Sequence, residues 1–237
     1  MFGYIGKTET MLGIYLIFGI FALVSWLVSN SLKKRFKQYA EIPTANGMSG
    51  KEVVEKMLRD HGISGVKIGS VSGMLTDHYN PVNKTINLSH EVYNGRNVAA
   101  AAVAAHECGH AVQHHKAYAM LQLRSQLVPV VSFASTWMQW VLLAGVLLVS
   151  VFPQLLLLGI ILFAFTTLFT IITLPVEVDA SQRALAWLKT TGITTGATQA
   201  KAYDALKWAA YTYFVAAIAS LATLVYYILI YMGGRRN

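Results

Sequence analysis

The chain has 237 residues, 55% hydrophobic and only 13% charged, and with a positive mean hydropathy it carries too few charges to cover a soluble globule. A single cysteine excludes an intramolecular disulfide framework, and five prolines without biased repeats leave no low-complexity linker. The net charge of +8 would suit nucleic acid, but a membrane protein with cytoplasmic lysines and arginines reaches the same total, and the distribution of the cations favours the bilayer as partner and no nucleic acid.

In chain order, the first element is an apolar helix. Met11 to Leu32 is uncharged and long enough to span a hydrocarbon core, and KKRFK follows it at 33–37. A cleaved signal peptide carries its cations before the apolar stretch, so residues 1–37 read as an uncleaved anchor and its basic flank. The segment 38–124 is polar enough for a small soluble unit. Within it SGKEVVEKMLRDHG predicts an amphipathic helix, with Ser49 as N-cap, Val53, Val54, Met57 and Leu58 on one face and Gly62 as terminator. VKIGSV is a short strand candidate. In MLTDHYNPVNKTINLSHEVY, Asn80, Pro81 and Asn83 mark the turn of a hairpin. NVAAAAVAAHECGHAVQHH is a helix with Asn97 as N-cap, and its alanines predict close packing against a neighbour.

The second apolar block is uncharged from Ser125 to Val176. As one helix it would be roughly 78 Å long, over twice the bilayer core, so it must fold back, with the tip at VFPQ and Pro153. Residues 125–175 are therefore expected as a transmembrane hairpin. Residues 176–207 are expected as a separate cytoplasmic helix, with Pro175 in its first turn. Residues 208–237 form the last span, with Tyr211, Tyr213 and Tyr231 near its ends. Residues 33–124 hold twelve Lys and Arg and 177–207 hold four, against Lys7, Arg235 and Arg236 on the other side. That bias predicts a multi-pass protein of the plasma membrane with both polar segments in the cytoplasm and both termini outside.

His106, Glu107 and His110 form His-Glu-x-x-His. On a helix, positions i and i+4 are about 40° apart around the axis and 6 Å along it, so two imidazoles can face one ion. Glu107 stands where a general base would contact a metal-held water. His114 lies about 12 Å up the axis from His106 and cannot join the same ion on a straight helix; it and His115 read as solvent-facing or interfacial. Cys108 projects on another face and reads as a small packed thiol. A catalytic zinc usually has three protein ligands and an open position. Only Glu177, Asp179 and Asp204 follow the motif, and Glu177 returns to the same membrane side as the motif helix. It is the candidate third ligand; its plainer reading is an acid favoured in a helix's first turn. Asp179 points roughly 200° away from it.

HECGHAVQH followed by LPVEVDASQRAL, and preceded by LTDHYNP and INLS, resembles the YugP-type bacterial membrane zinc peptidases over most of the chain. The resemblance implies a gluzincin-like site: His106, His110 and Glu177 on Zn2+, with Glu107 as the catalytic glutamate acting on polypeptide substrates. The heat-shock proteases of the HtpX type and the CAAX prenyl proteases share that plan more distantly. Those groups usually carry an Asp four residues after the ligand glutamate, where this chain has Ser181. The expected fold is thus an α-helical integral membrane protein of four transmembrane helices with a small α+β, zincin-like cytoplasmic domain carrying the motif helix. By analogy with the substrate-holding edge strand of zincins, His78 and Tyr79 are candidate substrate or transition-state contacts; their plainer reading is an exposed turn. Arg183 is a candidate for a substrate carboxylate or a lipid phosphate.

Two other functions fit the same residues. One is a zinc hydrolase of another amide or ester; the other is a non-catalytic membrane metal-binding or scaffold protein, its site closed by His78 or Asp179 as a fourth ligand. Transport fits less well, because the spans contain no charged residue.

Overall fold

A computed structural model describes the backbone of residues 2–234 and the side chains of residues 15–234; the side chain of Lys7 and all of Arg235 and Arg236, used in the orientation argument, lie outside the described residues. Along the chain stand α1 (Phe2–Ala40), α2 (Gly50–Asp60), β1 (Lys67–Val71), β2 (His78–Asn80), β3 (Thr85–Ser89), α3 (His90–Asn94), α4 (Val98–His115), α5 (Ala119–Leu147), α6 (Pro153–Thr190) and α7 (Gly196–Gly234). Among the described residues α1, α5, α6 and α7 are long and apolar enough to cross a membrane. Four spans were expected, and four are found.

The turn between α5 and α6 falls at the VFPQ stretch, and Pro153 opens α6, where its missing N–H costs no hydrogen bond. Pro175 behaves differently from expectation. It lies inside α6, which runs unbroken to Thr190, so residues 176–207 are not a helix of their own. They are the last part of α6, a turn, and the first part of α7. A proline inside a helix removes one backbone hydrogen bond, which a long helix packed on its neighbours tolerates. The chain turns only at Gly192, whose φ of +69° ends the helical path.

The contacts divide the chain into two units. One comprises Met1–Leu27, Leu123–Leu174 and Thr212–Asn237. It is apolar on its outside: Trp26, Phe133, Trp137, Trp140 and Leu147 are all more than half exposed. Such a surface suits lipid, since a helix satisfies most of its backbone groups internally. Inside, Leu142, Val149, Leu156 and Ile160 form a cluster, and the hydroxyls of Thr167 and Ser220 meet at 2.7 Å to tie α6 to α7.

The other unit comprises Val28–Gln122 and Pro175–Tyr211. Its sheet has the order β1-β3-β2, with β1 parallel and β2 antiparallel to β3. The β2–β3 turn is an Asx turn: Asn80 Oδ1 accepts from the amides of Val82 and Asn83 at 2.9 and 3.4 Å. Ser49 caps α2 in a reciprocal box with Glu52. Asn97 caps α4, its side chain accepting from the amide of Ala100 at 2.9 Å. The short α3 follows β3 directly and was not expected from sequence; Asp77 braces its start by accepting from the Ser89 amide at 2.7 Å.

α4 is the axis of this unit. The apolar face of α2 (Val53, Val54, Met57, Leu58), Ile86 and Leu88 of β3, Ala184 and Leu188 of α6 and Ala202 and Leu206 of α7 share one core with its alanines. Small side chains let several elements approach one helix. The approach is closest at Gly109, where an added Cβ would stand 2.7 Å from the Ala180 carbonyl oxygen of α6. Elsewhere Trp187 of α6 donates to Asp60 of α2 at 3.0 Å. Arg35 pairs with Asp204 at 2.6 Å and stacks 4.1 Å from the centre of the Trp208 ring, joining the end of α1 to α7.

Gly109→Ala is expected to force α4 and α6 apart and cost about 1–3 kcal/mol of stability, the usual range for overpacking. Thermal unfolding in detergent measures it, with Cys108→Ala, a substitution that adds no volume, as the control.

Candidate metal centre

His106 and His110 project from one face of α4, one turn apart, and Glu177 projects from α6 across the Gly109–Ala180 crossing. Glu177 Oε2 lies 3.2 Å from His106 Nε2 and 3.5 Å from His110 Nε2. One ligand atom from each of the three residues fits within 4.8 Å of the others, the only such group among the described residues. The rings of His106 and His110 stand edge to face, 4.8 Å between centres. Glu177 and His110 are buried, and His106 keeps a small exposed face. Two ring nitrogens and a carboxylate oxygen converging on one point are the donor set that zinc takes in an open site.

The opposite ring nitrogens are also held. Ser181 Oγ is 3.0 Å from His106 Nδ1, and Gln113 Oε1 is 3.0 Å from His110 Nδ1. Ser181 thus meets His106 with a neutral hydroxyl. Gln113 also donates to the Val176 carbonyl at 2.8 Å and to Asp179 Oδ2 at 2.7 Å. Such outer contacts orient metal-binding imidazoles.

Glu107 is 7% exposed. Burial pushes its carboxyl above the ordinary carboxylate range, and the neighbouring imidazoles of His106 and His110 offset only part of that. For His110, burial opposes the charged ring, but the Glu177 and Glu107 carboxylates outweigh it and raise its pKa. Burial likewise pushes the Cys108 thiol well up, which leaves it protonated.

The remaining candidates are not among the converging ligand atoms. The Tyr79 hydroxyl meets His114 Nδ1 at 2.7 Å. His78 is exposed, with Nδ1 2.8 Å from the Thr76 carbonyl and Nε2 3.1 Å from Asn87 Nδ2. Arg183 forks onto Asp179 at 2.6 and 3.2 Å. His114 is half-buried and His115 exposed. Neither His78 nor Asp179, the groups that could close the site as a fourth ligand, belongs to the converging set. Gln113 was missed from sequence, although it completes an i, i+4, i+7 stripe with the two histidines.

The family described as "putative neutral zinc metallopeptidase" matches residues 14–232. The chain belongs to this family. Over 225 residues it is 38% identical to the "Putative membrane protease YugP" of Bacillus subtilis (strain 168), covering 95% of this chain and 99% of that one. No solved structure matches the chain. With its four apolar helices, this member of the zinc metallopeptidase family is a multi-pass membrane protein.

The raised Glu107 carboxyl has a stability consequence. A carboxyl whose folded pKa exceeds its unfolded value costs nothing below the unfolded value and destabilises progressively as pH rises through the folded one. Metal-free Glu107→Gln should therefore melt a few degrees above the metal-free wild type at pH 8, and the gap should close by pH 4. Equal melting temperatures at both pH values would contradict the burial argument.

Proposed function

We propose that the chain is a membrane-embedded zinc endopeptidase that hydrolyses peptide bonds at the cytoplasmic membrane surface, with His106, His110 and Glu177 holding the metal and Glu107 as general base and acid. The observation that carries this is the convergence of two Nε2 atoms and one carboxylate oxygen, 3.2 and 3.5 Å apart, beside a buried glutamate. Membership of the family supports zinc as the ion. Zinc, when held by these three residues, would supply Lewis-acid polarisation of a carbonyl and would lower the pKa of a water towards neutrality.

The protein's own groups carry the protons. Glu107, its affinity for protons raised by burial, takes one from the water as the water adds to the scissile carbonyl carbon. As the C–N bond breaks, Glu107 delivers that proton to the leaving amine. The edge strand β2 is paired only with β3, and a peptide can add to its other side through main-chain hydrogen bonds. Tyr79 and His78 belong to that strand and serve in shaping it: Tyr79 through His114, His78 through Asn87.

The placement on the cytoplasmic side rests on the lysine and arginine bias, sixteen of nineteen lying in the two segments that flank the spans internally. Glu177 directly follows the uncharged block that ends at Val176, which favours membrane-proximal polypeptides as substrates.

In a peptide-library digest with purified protein, Glu107→Gln should lose at least 100-fold in kcat/KM, a typical acid–base contribution, while still binding one zinc per chain. His110→Ala should lose the zinc as well. Full peptidase activity in zinc-bound Glu107→Gln would rule the assignment out.

A further inference from the structure

Gln113 is fully buried, and its amide can sit only one way round. The amide nitrogen faces two groups that accept and cannot donate, the Val176 carbonyl at 2.8 Å and Asp179 Oδ2 at 2.7 Å. Both Asp179 oxygens also accept from Arg183, Oδ2 at 2.6 Å and Oδ1 at 3.2 Å. The NH2 group therefore points to α6, and Oε1 points to His110. An amide oxygen only accepts. Its partner, His110 Nδ1 at 3.0 Å, must carry the proton. In the neutral ring this leaves the lone pair on Nε2, the atom that faces Glu177 at 3.5 Å.

We infer that Gln113 is a positioning residue: through Asp179 and the Val176 carbonyl it locks His110 in the Nδ1–H tautomer and registers the motif helix on the helix that carries Glu177. This rests on the reading of His106, His110 and Glu177 as the zinc ligands. The two histidines are held unequally. Ser181, 3.0 Å from His106 Nδ1, has a hydroxyl that donates or accepts, so it selects no tautomer. His110 is fixed by a relay of Gln113, Asp179 and Arg183, and His106 adapts. The relay also joins two faces of the α4–α6 crossing, because Val176 and Asp179 flank Glu177 on α6. A single amide thus couples the direction of one ligand to the backbone beside another.

The test uses full-length protein in detergent, with zinc affinity from chelator competition and the visible absorption of the cobalt-substituted site. Gln113→Met keeps the volume and removes the amide; it should weaken zinc 10- to 100-fold, the usual cost of losing such an outer contact, and change the cobalt spectrum. Gln113→Glu still accepts from His110 but turns a carboxylate on Asp179 and the Val176 carbonyl, so it should weaken zinc too. Adding Asp179→Asn to Gln113→Glu supplies a donor opposite that carboxylate and should recover most of the loss. A merely structural role predicts no such rescue. Zinc binding in folded Gln113→Met within twofold of wild type with an unchanged cobalt spectrum would overturn the inference. So would a double variant no tighter than Gln113→Glu alone, and this comparison decides if Gln113→Met does not fold. Failure of the ligand assignment is seen separately, as unchanged zinc affinity in His110→Ala, and it removes both readings; the other two results remove the role of Gln113 alone.

Discussion

The site depends on how closely α4 and α6 cross. Gly109 rests against the backbone of Ala180, too close for a side chain at that position. Only at that separation does a glutamate three residues before Ala180 bring its oxygen within 3.2–3.5 Å of both imidazoles. A methyl group at 109 stands directly in the crossing, so the arrangement is built on the absence of one carbon atom. The alanine-rich stretch from Ala99 to Ala105 serves the same purpose over a longer length, since small residues let α4 be enclosed by α2, β3, α6 and α7 at once.

Polar groups placed in such an interior must be paired, because an unpaired one costs about 1–3 kcal/mol. Around His106, His110 and Glu177 they are paired in a definite direction. The outer nitrogens of both histidines meet side chains from α4 and α6, and the inner nitrogens converge with Glu177. Glu107 is buried beside them, and that burial pushes its carboxyl above the ordinary carboxylate range. Cys108, beside it in sequence, is inert by the same burial. Neighbours on one helix thus take opposite chemical characters according to the face on which they fall.

The departure at Ser181 is informative. The Ser181 hydroxyl reaches His106, while the acid two positions earlier, Asp179, meets the other histidine through Gln113. Arg183, which looked from sequence like a group for binding an outside anion, completes that arrangement by holding Asp179.

The sequence by itself determined the elements whose signals are local. Four apolar helices of spanning length follow from uncharged apolar length, the α2 and α4 caps from Ser49 and Asn97, the hairpin from Asn80-Pro81, and the pairing of His106 and His110 on one face from their i, i+4 spacing. It also singled out Glu177, because so few acids remain after the motif. Tertiary structure alone decided the rest. Pro175 looked like a helix start, yet α6 continues through it, since a proline costs a helix one hydrogen bond and the packing around the chain outweighs that. The partners of Gln113 and Ser181 lie 63 and 75 residues away. No local pattern encodes a contact at that separation; it exists only because two helices without side-chain bulk at their crossing are able to touch.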